Sequence, residues 1–448
     1  MNYQQTIQYL YSRLPMFSSQ GQAAIKPGLQ NIIKFCGLLN DPHLKFKAIH
    51  IGGTNGKGST SHMLAAILQT AGYKTGLYTS PHLRDFRERI RINGEMISEE
   101  TVTSFVNENR NNIEMIEPSF FETTVALAFD YFAKQDIDIA VVEVGLGGRL
   151  DSTNIIHPEL SVITNIGLDH VNILGNTLGQ IAFEKAGIIK AGVPVVIGQK
   201  QDEVKDVFIL AASTLGSRIV FASDDWEMKV IDLDQGFKNK HTENKNLMID
   251  SSLLSVSVTP KASNHQISGS RNYLLDLTGS YQLKNLATVF SSVEQLKKQG
   301  FVITDDNIRT ALNKVTKITG LMGRWQTIST KPRVICDTGH NEDGIREVIK
   351  NIAVTPYEHL HMVIGMVKDK DVSNILALLP KDAIYYFCQP DIPRAKEVED
   401  LSKEANAAGL MGYPYKSVQE ALEEAKKNAR VNDLIFVGGS TFVVAEII

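Results

Sequence analysis

Short β-branched apolar runs alternate along this chain with stretches whose apolar residues recur at helical spacing. That alternation predicts an α/β fold built on mainly parallel sheet. Lys47–Ile51 reads as a strand running into a glycine-rich turn. Beyond it Met63, Leu64, Ile67, Leu68 and Ala71 share one helical face, and Gly72 is the stop. Phe121, Val125, Ala128 and Phe132 mark a second helix, while Asp138–Val144 and Leu160–Thr164 read as buried strands. From about Phe221 to Leu277 the pattern changes to polar stretches such as Asn239–Asn246 between alternating segments such as Leu253–Val258, which predicts antiparallel hairpins without assigned chemistry. A second strand–helix series starts after Gly300, with strands at Arg333–Cys336, His361–Ile364, Ala383–Phe387 and Leu434–Val437. The restart puts a domain boundary near residue 299, dividing the chain into 1–298 and 299–448.

Composition narrows the function classes. The 448 residues, at roughly 150 per domain, suggest two or three domains. A 43% apolar and 21% charged make-up is ordinary for globular cores. Fifty acids against 46 bases give a net charge of −4 with no basic block, so neither nucleic acid nor an anionic membrane is an expected partner. Three separated cysteines, Cys36, Cys336 and Cys388, form no C-x-x-C pair, which argues against a disulfide framework or structural zinc and for a reducing compartment. The first twenty residues lack a signal-peptide pattern, and no run of about 18 apolar residues occurs. The reading is a soluble, cytoplasmic protein, monomeric by default.

The strongest local signal is Gly52-Gly53-Thr54-Asn55-Gly56-Lys57-Gly58-Ser59-Thr60, between a strand and a helix. Backbone N–H groups and a helix N-terminus make an anion site there, and glycines let phosphates approach. Lys57 would reach terminal phosphates, and a hydroxyl from Ser59 or Thr60 would ligand Mg²⁺. Gly58 departs from the usual P-loop, in which Ser or Thr directly follows the lysine.

The block Ile49–Thr60, with Tyr78-Thr79-Ser80-Pro81-His82-Leu83 after it, resembles the folylpolyglutamate synthase/dihydrofolate synthase family of Mur-ligase-like, ATP-dependent amide ligases. The resemblance implies a P-loop-type N-terminal ATPase domain with a mainly parallel sheet and a smaller Rossmann-like C-terminal α/β domain. It implies ATP along Thr54, Asn55, Gly56, Lys57, Gly58 and Ser59, with Gln282, Asn285, Arg324 and Asp337 as further nucleotide contacts. Ser80, Glu143 and His170 are the implied ligands of two Mg²⁺ ions. Glu143 also follows a buried strand, where a magnesium ligand belongs, whereas imidazole on so hard a cation follows only from the resemblance. Lys185, in Glu184-Lys185-Ala186-Gly187, is implied to carry a CO₂-derived carbamate, although its position alone suggests a surface lysine at a helix C-terminus.

Further matches are less regular. Asp337-Thr338-Gly339-His340-Asn341-Glu342 has Gly339 and Glu342 where the family pattern has alanine and proline, and Met322 replaces a proline before Gly323-Arg324. His340 is carried over as a catalytic residue. Ile364–Asp371 and Gly438-Gly439-Ser440 match blocks of less defined role. Substrate contacts are implied at Ala24, Ile25, Lys26 and Pro27, at Phe121, Glu122, Thr123 and Thr124, and at Leu150, Asp151 and Ser152. Lys26 stands where relatives often carry an acid, which counts against dihydropteroate use.

The implied reaction adds L-glutamate to folates, and also to dihydropteroate. The substrate carboxylate attacks the γ-phosphorus of ATP, and the glutamate amine, held by the C-terminal domain, displaces phosphate from the acyl phosphate. Lys57 and the metals carry the electrostatics. ATP bridging both domains requires closure about a hinge near residue 299. The competing readings are a sibling ligase acting on a cell-wall precursor and a non-catalytic ATP-binding protein.

Overall fold

The computed structural model describes residues 1–15, 28–231, 253–261, 269–368 and 372–448. Ala24, Ile25, Lys26, Pro27, the Asn239–Asn246 stretch and Asp369–Asp371 lie outside the described residues. The chain forms two compact units: Met1–Asp276 with Gln282–Leu321, and Leu277–Tyr281 with Met322–Ile448.

The first unit holds an eight-stranded sheet of order β4-β3-β2-β5-β1-β6-β7-β8. Its strands are β1 (Lys47–Gly52), β2 (Thr75–Tyr78), β3 (Ile90–Ile92), β4 (Glu95–Met96), β5 (Ile139–Glu143), β6 (Leu160–Ile163), β7 (Val195–Ile197) and β8 (Ile219–Phe221). Only β3, next to the edge, is reversed, and it pairs antiparallel with both β2 and β4. β1, β5 and β6 are buried almost throughout, and mostly apolar, because parallel strands are covered on both faces. Helix α1 (Lys57–Thr70) is buried on every side from Ser59 to Leu68, so the one apolar face visible in its sequence understates its environment. Helices α2 (Phe120–Lys134) and α3 (Leu178–Ala186) end or begin beside the strand ends that matter below. The Phe221–Leu277 region contains the expected antiparallel pairs, β9 (Trp226–Val230), β10 (Leu254–Pro260) and β11 (Arg271–Leu275). They pack on α4 (Gln282–Lys298), where Trp226 Nε1 donates to Ser291 Oγ at 3.0 Å.

The units divide at Leu321/Met322 rather than at residue 299. The segment after Gly300 stays with the first unit because Asn307 Nδ2 donates to Thr70 O at 2.8 Å and His62 Nδ1 meets Thr319 Oγ1 at 2.8 Å. A strand–helix restart in sequence therefore falls short of the packing boundary.

The second unit is a six-stranded sheet of order β12-β13-β17-β14-β15-β16. It comprises β12 (Gln326–Thr330), β13 (Arg333–Cys336), β14 (Leu360–Ile364), β15 (Ile384–Cys388), β16 (Gly412–Tyr415) and β17 (Leu434–Gly438), and only β12 is antiparallel. The four central strands match the predicted runs. The two edges were not predicted: β16 carries Pro414, and both edges are largely exposed, so neither has an apolar signature. Among the described residues no helix is long and apolar enough to cross a membrane, and Cys36, Cys336 and Cys388 are free and buried.

Candidate functional site

In the first unit the glycine-rich turn leaves the carboxyl end of a central strand. β1 ends at Gly52, and α1 starts at Lys57 with Gly56 as N-cap at φ +86°. Gly53 has φ +138°, and a Cβ there would lie 1.9 Å from Thr164 Oγ1, so only glycine lets the turn cross the end of β6 this closely. The segment after β6 supports the turn. Thr54 N–H donates to Asn165 O at 2.9 Å, Asn55 N–H to Asn165 Oδ1 at 2.8 Å, and Thr164 Oγ1 to Asn55 O at 2.6 Å. The sequence reading did not single out Thr164 or Asn165; their place directly after a buried strand is the signal that marks them.

Two lysines converge on one backbone oxygen. Lys57 Nζ donates to Gly53 O at 3.0 Å and Thr54 O at 3.1 Å, and Lys185 Nζ reaches the same Gly53 O at 2.9 Å from the end of α3. Lys185 is 4% exposed, which corrects the expectation of a surface lysine from its position alone. Burial first, and then the charge of Lys57, push the Lys185 ammonium down to about 7, against the opposing pull of Asp169 and Asp151. On the other flank, Ser59 Oγ accepts from Gln282 Nε2 at 3.1 Å, and Asn285 Nδ2 donates to Gln282 Oε1 at 2.7 Å. A Cβ on Gly56 would meet Asn285 Oδ1 at 2.2 Å, so Asn285 closes against the N-cap. Gly58 lies in the first turn of α1.

β5 ends on Glu143, whose buried carboxylate accepts the Ser80 N–H at 3.3 Å. A carboxylate beside a hydroxyl residue is a hard-oxygen set that fits Mg²⁺. Thr60 Oγ1, buried and without a hydrogen-bond partner among the described residues, is a further oxygen of this kind on the turn's own helix. His170 occupies the left-handed region at φ +50°, its N–H on Asp169 Oδ1 at 2.8 Å and its Nε2 3.9 Å from that oxygen. Arg89, buried, donates from Nε to His82 Nδ1 at 2.7 Å and lies over the Phe120 ring, bracing the Ser80-Pro81-His82 block. Burial and Arg89 push His82 down to about 3, so it accepts as a neutral ring.

Most polar side chains of the implied substrate positions are engaged by their own backbone. Glu122 closes a capping box with Ser119: Ser119 N–H donates to Glu122 Oε2 at 2.7 Å, and Glu122 N–H to Ser119 Oγ at 3.2 Å. Thr123 and Thr124 donate back to Ser119 O and Phe120 O at 3.0 and 2.7 Å. Asp151 accepts from Leu146 N–H at 2.8 Å and Thr153 N–H at 3.0 Å, which makes it a loop brace; burial raises its carboxyl while these bonds lower it. Phe121 is half-buried across Gly145, Leu150 is exposed and Ser152 is buried.

In the second unit, Asp337 follows β13 and is buried among donors. Tyr281 OH and Trp325 N–H reach Oδ2 at 2.6 and 2.8 Å, and Gly339 N–H reaches Oδ1 at 2.8 Å. Burial raises its carboxyl, while Tyr281, Arg324 and the backbone donors lower it. Arg324 donates from Nη1 to Thr338 Oγ1 and to Gly323 O. His340 Nδ1 meets Thr338 O at 3.0 Å, and because a carbonyl only accepts, Nδ1 is the donor of that pair. Asn341 caps the helix Glu342–Val354. Gly365 and Gly439 meet at the ends of β14 and β17, where a Cβ on Gly439 would lie 2.8 Å from Gly365 O. Among the described residues, three His, Cys, Asp or Glu ligand atoms gather within 4.8 Å at Glu358, His359 and Asp433. That group lies at the amino ends of β14 and β17, and its own bonds account for it: His359 Nδ1 to Asp433 Oδ1 at 3.1 Å, and Asn432 Nδ2 to Glu358 Oε1 at 2.7 Å.

The geometry has counterparts in known proteins. The Mur ligase middle domain matches residues 51–293, and the Mur ligase glutamate ligase domain matches residues 323–441. That pair is the class signature of a Mur-type ligase. The dihydrofolate synthase/folylpolyglutamate synthase of Bacillus subtilis is 31% identical over 458 residues, covering 99% of this chain and 98% of that protein. A Haloferax volcanii protein named "Probable bifunctional folylpolyglutamate synthase/dihydropteroate synthase" is 32% identical over 452 residues; the match takes in 100% of this chain but only 50% of that protein. Among solved structures, Escherichia coli FolC in complex with DHPP and ADP is 28% identical with a TM-score of 0.81, covering 100% of this chain and 97% of that one. A bifunctional folylpolyglutamate synthase/dihydrofolate synthase with Mn, AMPPNP and L-glutamate bound is 26% identical with a TM-score of 0.80, covering 100% and 97%. This chain belongs to the folylpolyglutamate synthase/dihydrofolate synthase family.

Proposed function

We propose that the protein is an ATP-dependent ligase that adds L-glutamate to folates, and to dihydropteroate, through an acyl phosphate. The observation that carries the proposal is the convergence of Lys57 and Lys185 on Gly53 O, at 3.0 and 2.9 Å, at a glycine-rich turn between strand and helix. The Lys57 ammonium and a row of backbone donors are the electrostatics that a polyphosphate demands, with Lys185 packed beside them. Gly56, Gly58 and Ser59 at the helix N-terminus supply that row, Thr54 and Asn55 shape the turn through their N–H groups on Asn165, and Asn285 closes against it. Lys57 leaves Gly53 O for the β- and γ-phosphates and stabilises the charge that develops on transfer.

Ser80 and Glu143 are the proposed oxygen ligands of Mg²⁺, with His170 as ligand of a second ion; bound there, the metal neutralises phosphate charge. Lys185 is the proposed site of carbamylation. With its ammonium near 7, a large fraction is neutral at physiological pH, and the free amine forms an N–C bond to CO₂ and releases a proton. The product replaces a buried cation with an anion. In the second unit, Asp337 accepts from sugar hydroxyls, Arg324 binds phosphate, and His340, held by its Nδ1 on Thr338 O, is the proposed catalytic histidine beside them. Phe121 and Leu150 offer the apolar faces to the folate, beside Asp151 and Ser152. Three buried free thiols support a reducing, cytoplasmic setting.

The test is ADP release by purified protein with Mg-ATP and L-glutamate, run separately with tetrahydrofolate and with dihydropteroate, the products identified by mass. Turnover with both acceptors supports the full reading, and turnover with one assigns a single synthase. Absence of glutamate-dependent turnover with either, in folded protein, overturns it.

A further inference from the structure

Strand β1 carries one polar side chain in its buried stretch, His50, which is fully buried. His50 Nε2 lies 2.8 Å from Thr153 Oγ1, and Thr153 Oγ1 donates to Asp151 Oδ1 at 2.5 Å. A hydroxyl has a single proton to give. Thr153 spends it on the carboxylate, so it accepts from His50, and the imidazole is fixed as the Nε2–H tautomer. Nδ1 is then a buried acceptor, and it has no partner among the described residues. A half-satisfied buried imidazole is costly, and a valine would suit a strand of alanine and isoleucine better for stability alone.

The beneficiary of this arrangement is the loop Gly145–Asp151. Asp151 Oδ2 accepts Leu146 N–H at 2.8 Å, and Oδ1 accepts Thr153 N–H at 3.0 Å, which closes the loop on itself. The loop is also pinned against two candidate site elements. A Cβ on Gly145 would lie 2.4 Å from the Phe121 ring, and one on Gly148 would lie 3.1 Å from Lys185 Cα. Arg149 N–H donates to Glu184 O at 2.7 Å. The loop thus connects Glu143, Phe121 and Lys185, and its internal anchor is a carboxylate oriented from behind by Thr153 and His50.

We infer that His50 is a positioning residue for folate binding: through Thr153 it fixes Asp151, and with it the shape of the Gly145–Asp151 loop against Phe121. This rests on the proposed ligase function for its substrate, while its structural half stands on the hydrogen-bond chain alone. Burial holds the ring neutral, which keeps the direction of donation constant across the working pH range.

Two readouts test it. Loss of the Nε2 donor in His50→Val raises KM for the folate acceptor about five- to tenfold and leaves kcat and KM for ATP within about twofold, as expected for losing one buried hydrogen bond that serves a single substrate. His50→Gln, which retains an N–H donor, recovers at least part of the loss. Thr153→Val reproduces His50→Val, Thr153→Ser behaves as the parent, and the double valine variant is no worse than Thr153→Val alone. Independently of activity, amide exchange in the peptide containing Leu146 accelerates in His50→Val. Unchanged exchange overturns the inference whatever the activity. Faster exchange with unchanged folate KM, or a glutamine variant no better than valine, overturns the positioning role. A parent protein without glutamate-dependent turnover overturns the proposed function instead, and leaves the exchange result to decide the loop anchor.

Discussion

The turn after β1 and the turn after β13 occupy equivalent positions, each at the carboxyl end of a parallel strand inside its sheet, yet they gather opposite charge. The first draws the Nζ atoms of Lys57 and Lys185 onto Gly53 O. The second encloses the carboxylate of Asp337 with Tyr281 OH and the N–H groups of Trp325 and Gly339. Position at a strand end makes both candidate places for a ligand. The sign of the charge distinguishes what each can hold: phosphate oxygens at the first, hydroxyl or amine donors at the second. The two also differ in how tightly they are built. Lys57 rests on carbonyls that it can leave, whereas Asp337 is tied to three donors that would be stranded without it. Removing the lysine should therefore damage chemistry, and removing the acid should damage binding and stability together.

The largest effect is expected from Lys57→Ala, which lowers kcat by about 1,000-fold with little change in melting temperature, because transition-state charge loses its main side-chain partner. Steady-state ADP release beside thermal melting reads both quantities. Asp337→Ala is expected to raise KM for ATP by about tenfold or more and to lower the melting temperature, since three buried donors lose their acceptor. A Lys57 variant that melts early, or an Asp337 variant that alters kcat alone, breaks the contrast.

Lys185 gives a pH signature with a definite sign. Its amine falls from the usual 10.5 to about 7 in the fold, so between those values the unfolded chain binds more protons than the folded one. Stability of the unmodified protein therefore rises with pH from about 7 toward 10.5, and below about 7 the folded state bears the full cost of a buried ammonium. Melting curves in CO₂-free buffer should show this slope, and Lys185→Met should flatten it. The smallest effect belongs to the helix residues that resemble substrate contacts. Ser119→Ala removes one half of the capping box and should cost about 1 kcal/mol of stability in denaturant unfolding, with KM for folate unchanged. A large change in folate KM would return Glu122 to the binding surface.

The sequence carried the centre of each unit better than its edges. β1, β5, β6 and the four central strands of the second unit are predominantly apolar runs because both faces are covered. β12 and β16 escaped notice because an edge strand needs no apolar face. The boundary fell at Leu321 because Asn307 and Thr319 bond to α1, a long-range pairing that leaves no local pattern. At the site, the glycine-rich turn was legible from its order of strand, glycines, lysine and helix. The meeting of Lys185 with Gly53, 132 positions apart, was not. Nor was the use of Glu122, Thr123, Thr124 and Asp151 by their own backbone, since a polar residue's partner is set by rotamer and neighbour rather than by its type.

The central claim is that the first unit activates a carboxylate by phosphoryl transfer before the amine arrives. The most direct measurement uses a folate or dihydropteroate acceptor labelled with ¹⁸O in the carboxylate that receives glutamate, with mass analysis of the phosphate released. The account predicts one labelled oxygen in each phosphate, carried over when the acyl phosphate is opened by the amine. Unlabelled phosphate accompanying full amide formation would contradict it.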